Sequence, residues 1–592
     1  MAGFGAGLLP LSAVCLFIEG NRATMIAKTP PFNLAERLGR LFPKGGGAPL
    51  ASVKTAAAWL DGLPTGDAMR AQQMVYEEFR RLLENPTECT KSRLDAILLA
   101  DARSRDLQDP LARQYLRNPR MSRAVESQLW HAIYNYYREI ARLYHTYLAE
   151  LANKSVLASE TRALLIQRTL RNFRHFMKWR FVRYMHLEAK TWQRVHNLYK
   201  LAEDSGIQHQ PQKTYPHETG AHTCESEYLQ CLMLNQANAG TLYPRQIDLV
   251  DLWLDGWVRT LHLDKQLDAA RQVFNVNLAE DHGARRIRRV TEDSANRYWS
   301  TRELVERLAR IRDDLQESVP PARLGLGSEA RMPETRDIIE HLERQWSPLA
   351  TRDQRRKSRQ AVKKSMEVTY GLEHIIAALK DKPAEAAEEA PLYGDHYAYD
   401  ESVDMHVYGF VTSRTRERRT QIPGAAGAPP GYPMESWVME DESECGYGAC
   451  VSLQSHDWLR VGALVALRAP RSDAWKLGVV RRLSRVVGDA DNCSVGIETL
   501  PEIPDVLSLH TPGNGGGYYV NGVDATNTLL PAVVIRLTNP AGGRACVLID
   551  PGQYQPQRVV EIRGLNRLQR VRFGAPAERG EGWLRLCLEE LK

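Results

Sequence analysis

The chain lacks any apolar run approaching the roughly 18 residues a membrane-spanning helix requires, so no membrane span is expected. Its first residues, MAGFGAGLLPLSAVCLFIEGNR, carry no basic leading segment, which a secretory signal normally has. The stretch from Met25, MIAKTPPFNLAERLGRLFPK, reads as a natural beginning. Cysteine is sparse and odd in number: nine residues, with no CxxC among them. That pattern excludes a disulfide scaffold and points to a reducing, cytoplasmic setting. Charge of one sign is also missing. With 78 basic against 72 acidic residues the net charge is +6, too little to call for a nucleic-acid polymer as partner. There is no nucleophile elbow, zinc motif or phosphate loop, and the strings GFGAG and GYG are too short and wrongly placed for dinucleotide or phosphate binding. An enzyme is therefore not expected. No fixed-period repeat supports a solenoid.

What is present divides by pattern. At 592 residues the chain is too long for one core, and about 150 residues per domain suggests three or four. Residues 1–50 read as a flexible N-terminus and 51–346 as helical. In QLWHAIYNYYREIARLYHTYLAEL, Trp130, Ile133, Tyr137, Ile140, Tyr144 and Tyr147 recur at helical spacing, the stripe expected of antiparallel helix packing. The following TRALLIQRTLRNFRHFMKWRFVRYMHLEAKTW predicts another long helix, its many bases on a solvated face. His209, His217, His222, Cys224 and Cys231 lie in a polar break, but their spacing matches no paired-ligand pattern, so no metal is expected. DAARQVFNVNLAEDHGARRIRRV has room for a strand, and STRELVERLARIRDDLQESV and ETRDIIEHLERQW predict helices.

Near Ser347 the character changes. A basic cluster leads into SMEVTYGL, a strand by its β-branched and aromatic content. Residues 382–432, rich in Ala, Glu, Gly and Pro, read as an insertion. Short apolar alternations then follow, SWVME, GACVSL, ALVALRA, WKLGVVRRLSRV and CSVGIETL, the pattern of a small antiparallel barrel or sandwich. After residue 500 a second β-rich set appears, with the loop TPGNGGGYYVNGVD near its start. The expected class is multidomain α + β. It comprises an all-α N-terminal half, an antiparallel β-barrel over 347–500 and a C-terminal β-rich module over 501–592.

One constellation carries chemistry. Arg352, Arg355, Arg356 and Arg359 precede the first strand of the β region. Arginine's planar fork suits phosphate oxygens or the O6/N7 edge of guanine. In WVMEDESECGYGACVSL, Asp441 offers an acceptor for guanine N1–H and N2–H₂. Ser443 can meet a ligand or hold a turn. Gly446 allows close backbone approach and positive φ. Solvated charges and an Asx turn are the plainer explanation of the same residues.

RxxxR ahead of a strand, followed by DxSxxG, resembles the PilZ family of cyclic-di-GMP receptors. Arg355–Arg359 matches the first half, and Arg352–Arg356 matches it in an overlapping register; Asp441, Ser443 and Gly446 match the second. The resemblance implies a six-stranded PilZ-like barrel that clamps cyclic-di-GMP, often as an intercalated dimer, with the C-terminal module a possible divergent copy. It further implies a helical half that docks an unidentified protein partner. The two motif halves lie more than eighty residues apart here, against the family's few tens. A degenerate, ligand-free PilZ scaffold acting only between proteins is the alternative.

Overall fold

The computed structural model describes residues 48–348, 359–381, 431–510, 532–538, 546–563 and 568–591, except positions 65, 85–88, 119–120, 154–156, 289–292, 332–333, 454–455, 457, 471 and 473. Arg352, Arg355 and Arg356 lie outside the described residues. So do nearly all of the N-terminus 1–50, the 382–432 insertion apart from its last two residues, and the TPGNGGGYYVNGVD loop. The chain forms two units. One comprises Met1–Arg183, Leu187–Ala237 and Pro244–Pro348, the other Tyr184–His186, Asn238–Tyr243 and Leu349–Lys592.

The first unit holds helices α1 (Val53–Asp61), α2 (Ala68–Glu84), α3 (Lys91–Arg117), α4 (Arg123–Asn153), α5 (Ser159–Phe181), α6 (Thr191–Asp204), α7 (Cys224–Gln236), α8 (Pro244–Trp257), α9 (Arg302–Gln316) and α10 (Glu334–Trp346). All six residues of the aromatic and apolar stripe on α4 are buried, and α4 packs along α5. Trp130 on α4 donates its indole N–H to the Trp179 carbonyl on α5 at 2.6 Å. The stripe is core, as its spacing predicts.

The bases of α5 are not on a solvated face. Arg168, Arg171, Arg174 and Lys178 are all buried. A buried charge must be paired and hydrogen-bonded to persist, and each of these is. Arg168 donates to the Thr214 and Leu98 carbonyls at 2.9 and 2.7 Å. Arg171 donates from Nε to Glu227 at 3.0 Å and also pairs with Glu218. Arg174 pairs with Asp251, and Lys178 bridges Asp248 and Asp251 at 2.8 and 2.9 Å. Asp101 on α3 accepts from Tyr136, Tyr144 and Tyr215 at 3.2, 2.7 and 2.8 Å. Burial, and then the Asp101 charge, hold the Tyr136 and Tyr144 phenols well above the ordinary range. The expected solvated face fails because α3, α7 and α8 supply acids to this helix.

The N-terminal half is not all-α. Strands β1 (Phe274–Asn277), β2 (Arg285–Arg286) and β3 (Asn296–Trp299) form an antiparallel sheet in the order β2-β1-β3. Phe274 stacks on Trp299 with ring centroids 5.6 Å apart, the cross-strand aromatic pairing that stabilises short sheets.

Among the described residues, the second unit contains twelve strands and α11 (Leu372–Lys380), a helix not read from the sequence. The strands are β4 (Gln360–Tyr370), β5 (Glu435–Ser443), β6 (Gly446–Ser452), β7 (Leu464–Arg468), β8 (Lys476–Val486), β9 (Asp489–Thr499), β10 (Ile503–His510), β11 (Ala532–Thr538), β12 (Cys546–Ile549), β13 (Val559–Arg563), β14 (Leu568–Gly580) and β15 (Trp583–Glu590). They close two barrels, β4-β5-β6-β9-β8-β7 and β10-β11-β12-β15-β14-β13. Numbered within each barrel, the strand order is the same, 1-2-3-6-5-4. The first barrel's core includes Met366, Trp437, Met439, Tyr447, Val465, Val480, Val495 and Ile497. The second's includes Val534, Val547, Val571, Phe573 and Leu586.

A third apolar cluster joins the outer walls, with Leu372 and Ile375 of α11, Leu464, Leu477, Val479, Ile535, Leu548 and Trp583. For this reason Leu464, Val465, Ala466 and Leu467 are buried on both faces of β7. Trp583 donates its indole N–H to the Gly462 carbonyl at 2.9 Å across the seam. Among the described residues, no helix is long and apolar enough to cross a membrane.

Two predictions follow from the helical core. Asp251→Ala leaves Arg174 and Lys178 buried without their shared acid, and should cost about 3–5 kcal/mol in urea unfolding. His196, held between the His282 carbonyl and the Tyr228 hydroxyl, is pushed down to about 4, chiefly by burial. A depressed folded-state value means that its contribution is complete above the unfolded value near 6.5 and is lost as pH falls through about 4. Between pH 7 and pH 5 its share of the loss should be about 2 kcal/mol. His196→Gln should flatten that part of the stability–pH curve; an unchanged slope would show that His196 protonates freely when folded.

Candidate functional site

Antiparallel pairing sets the geometry. β4 runs against β5 with Ala361 opposite Asp441, and β5 turns into β6 with Ser443 opposite Gly446. Arg359, the residue before β4, is thereby carried to Asp441 although the two are 82 positions apart. One terminal nitrogen of its guanidinium donates to both carboxylate oxygens, at 2.8 and 3.0 Å. The side chains are 32% and 34% exposed, so the pair is worth no more than about 1 kcal/mol. It uses one nitrogen of the fork.

A break in register between Met439 and Asp441 marks a bulge in β5. Bulges re-aim side chains at the rims of barrels. Met439 is wholly buried in the barrel core, whereas Asp441, two residues on, emerges on the outer wall.

The other motif residues have separate tasks. Ser443 donates its hydroxyl to the Gly446 carbonyl at 3.3 Å, closing the two-residue hairpin of Glu444 and Cys445. Gly446 does not adopt positive φ, contrary to one of the two reasons the sequence suggested. Its need is space: a Cβ there would sit 2.0 Å from the Ile497 carbonyl oxygen of β9. No Asx turn forms at Asp441, whose carboxylate faces Arg359 instead.

One residue escaped the sequence reading. Gly448 stands opposite Asp441 on β6, and a Cβ there would lie 2.6 Å from the carboxylate oxygens. The GYG string is the available signal, although its length and placement speak only against dinucleotide or phosphate binding. Beside it, Tyr447 is pushed up to about 12 by burial and by its hydrogen bond to Glu442. Among the described residues, no group of three or more His, Cys, Asp or Glu side chains is placed to hold a metal ion.

The second barrel differs at the corresponding place. The segment leading into β10 carries Glu502, which pairs with Arg585 of β15; the lead-in to β4 carries Arg359.

Residues 54–268 match the family described as the cyclic-di-GMP receptor FimW, N-terminal domain. Apart from Tyr184–His186 and Asn238–Tyr243, that match lies in the helical unit, and it ends before the first barrel strand. No curated protein matches the chain, and no solved structure does.

The two hairpin glycines should respond differently to a methyl group. At Gly446 the obstacle is backbone, so Gly446→Ala should destabilise the barrel by about 1–3 kcal/mol in urea unfolding. At Gly448 the obstacle is the end of a side chain that can swing, so Gly448→Ala should cost less while displacing Asp441. Equal costs for the two would mean that the Asp441 carboxylate is rigidly held.

Proposed function

We propose that the chain is a receptor for cyclic-di-GMP, which it takes on the outer wall of a PilZ-like first barrel. The observation that carries this reading is the contact of Arg359 with Asp441, because it joins the two halves of the motif despite the 82 positions dividing them. The match of residues 54–268 to the N-terminal domain of a cyclic-di-GMP receptor supports the same ligand from a different part of the chain.

The chemistry is binding by complementary edges. The Asp441 carboxylate accepts from guanine N1–H and N2–H₂. The guanidinium of Arg359, with Arg352, Arg355 and Arg356 of the lead-in, meets the two phosphates. The pair between Arg359 and Asp441 is weak because it is partly exposed. A ligand can therefore take over either partner at small cost. The helical unit supplies the output, engaging a protein partner. A second reading, a ligand-free scaffold, is favoured by the counter-charge Asp441 already has.

Calorimetric titration of the full chain separates them. A receptor should bind cyclic-di-GMP with a Kd in the micromolar range or below. Arg359→Ala and Asp441→Ala should each weaken binding by about tenfold or more. Absence of heat with the intact protein at high ligand concentration would leave the scaffold.

A further inference from the structure

The outer wall beside Asp441 is unusually bare, and its far side carries a base that neither motif half includes. Gly448 on β6 stands opposite Gly496 on β9, and Gly496 stands opposite Arg482 on β8. Residues 447, 449 and 451 of β6, and 493, 495 and 497 of β9, point into the barrel core. The two glycines alternate with them and so face outward. The Asp441 carboxylate lies over Gly448. The side chain of Arg482 lies over Gly496: a Cβ there would meet Arg482 Cβ at 3.4 Å and Nε at 3.8 Å. Neighbouring strands are about 4.8 Å apart. The Asp441 carboxylate and the Arg482 side chain thus overhang adjacent strands, with glycine backbone beneath them.

The charges around Arg482 leave it available. Its neighbour Arg481 takes Glu498 at 2.6 Å and also Glu578. Arg482 is exposed, and no described residue pairs with it. The register break between Val480 and Arg482 is a bulge on β8, the same device that brings Asp441 out of β5.

We infer that Arg482 is a specificity-determining residue of the nucleotide site, reading the O6/N7 edge of a guanine whose N1–H and N2–H₂ edge is held by Asp441. The inference rests on the reading of the first barrel as a cyclic-di-GMP site, and it adds a residue that RxxxR and DxSxxG do not contain. Guanine presents donors on one edge and two acceptors on the next, and an arginine fork matches the acceptors bidentately. Adenine replaces O6 with an amino donor and has no N2 amine, so it fails at both partners. The glycines matter because a side chain at 448 would displace the Asp441 carboxylate and one at 496 would crowd the Arg482 side chain.

The test is a set of titrations on the full chain with cyclic-di-GMP and cyclic-di-AMP. Arg482 is exposed, so Arg482→Ala should leave the fold intact. It should weaken cyclic-di-GMP binding by about tenfold or more and narrow the preference over cyclic-di-AMP by a similar factor. Arg482→Lys, which keeps the charge but not the fork, should recover little of that preference. Wild-type protein that binds no cyclic-di-GMP would overturn the site itself. Wild-type protein that binds, with Arg482→Ala equally tight and selective, would overturn the role of Arg482 alone. Full recovery by lysine would reduce it to a phosphate contact and overturn the reading of the base edge.

Discussion

The pairing of β4 with β5 is the constraint from which the candidate site follows. Backbone hydrogen bonds fix Ala361 against Asp441, and the side chain just ahead of β4 has nowhere to go but the rim where β5 ends. The ion pair between Arg359 and Asp441 is a consequence of that register, not its cause, since a partly exposed pair contributes too little to set a strand alignment. The pairing also makes the length of the intervening stretch nearly irrelevant, because the entropy of closing a loop grows only slowly with its length. Bulges in β5 and β8 then turn selected side chains out of the wall, and glycines keep the wall between them open.

The two barrels share a strand order. In each, alternate residues fill the interior while the outer faces of β7, β8, β11 and β12 meet in a common apolar seam with α11 and Trp583. The lead-in to β10 carries Glu502 held by Arg585, where the lead-in to β4 carries Arg359 held by Asp441.

In the helical unit the same physics produces a polar core. Four bases on α5 point inward, and the acids come from helices distant in sequence, Asp101 from α3, Glu227 from α7, Asp248 and Asp251 from α8. Such networks add little net stability over an apolar core, but removing one member is costly because its partner stays buried. Asp101, with three phenols and Arg168 around it, is the most heavily engaged acid of the set.

Local patterns in the sequence determined a good deal: the apolar stripe of α4, the amphipathic helices α9 and α10, the strand-rich second half, and the ordered pair of motifs with Asp441 and Arg359 in them. These were legible because periodicity and turn chemistry are properties of neighbouring residues. Tertiary structure decided the rest. Whether the bases of α5 face water or acids depends on helices recruited from elsewhere, so the charge pattern alone pointed the wrong way. The small sheet around Phe274 and Trp299 was too short to displace the helical reading of its surroundings. The role of Gly446 could be named in advance, but its cause, the Ile497 carbonyl two ångströms from a would-be Cβ, belongs to a strand some fifty residues later. Gly448, Gly496 and Arg482 carry no motif at all; only the register of β6, β9 and β8 brings them into line, because cross-strand neighbours are chosen by hydrogen bonding between backbones and leave no trace in the order of the residues.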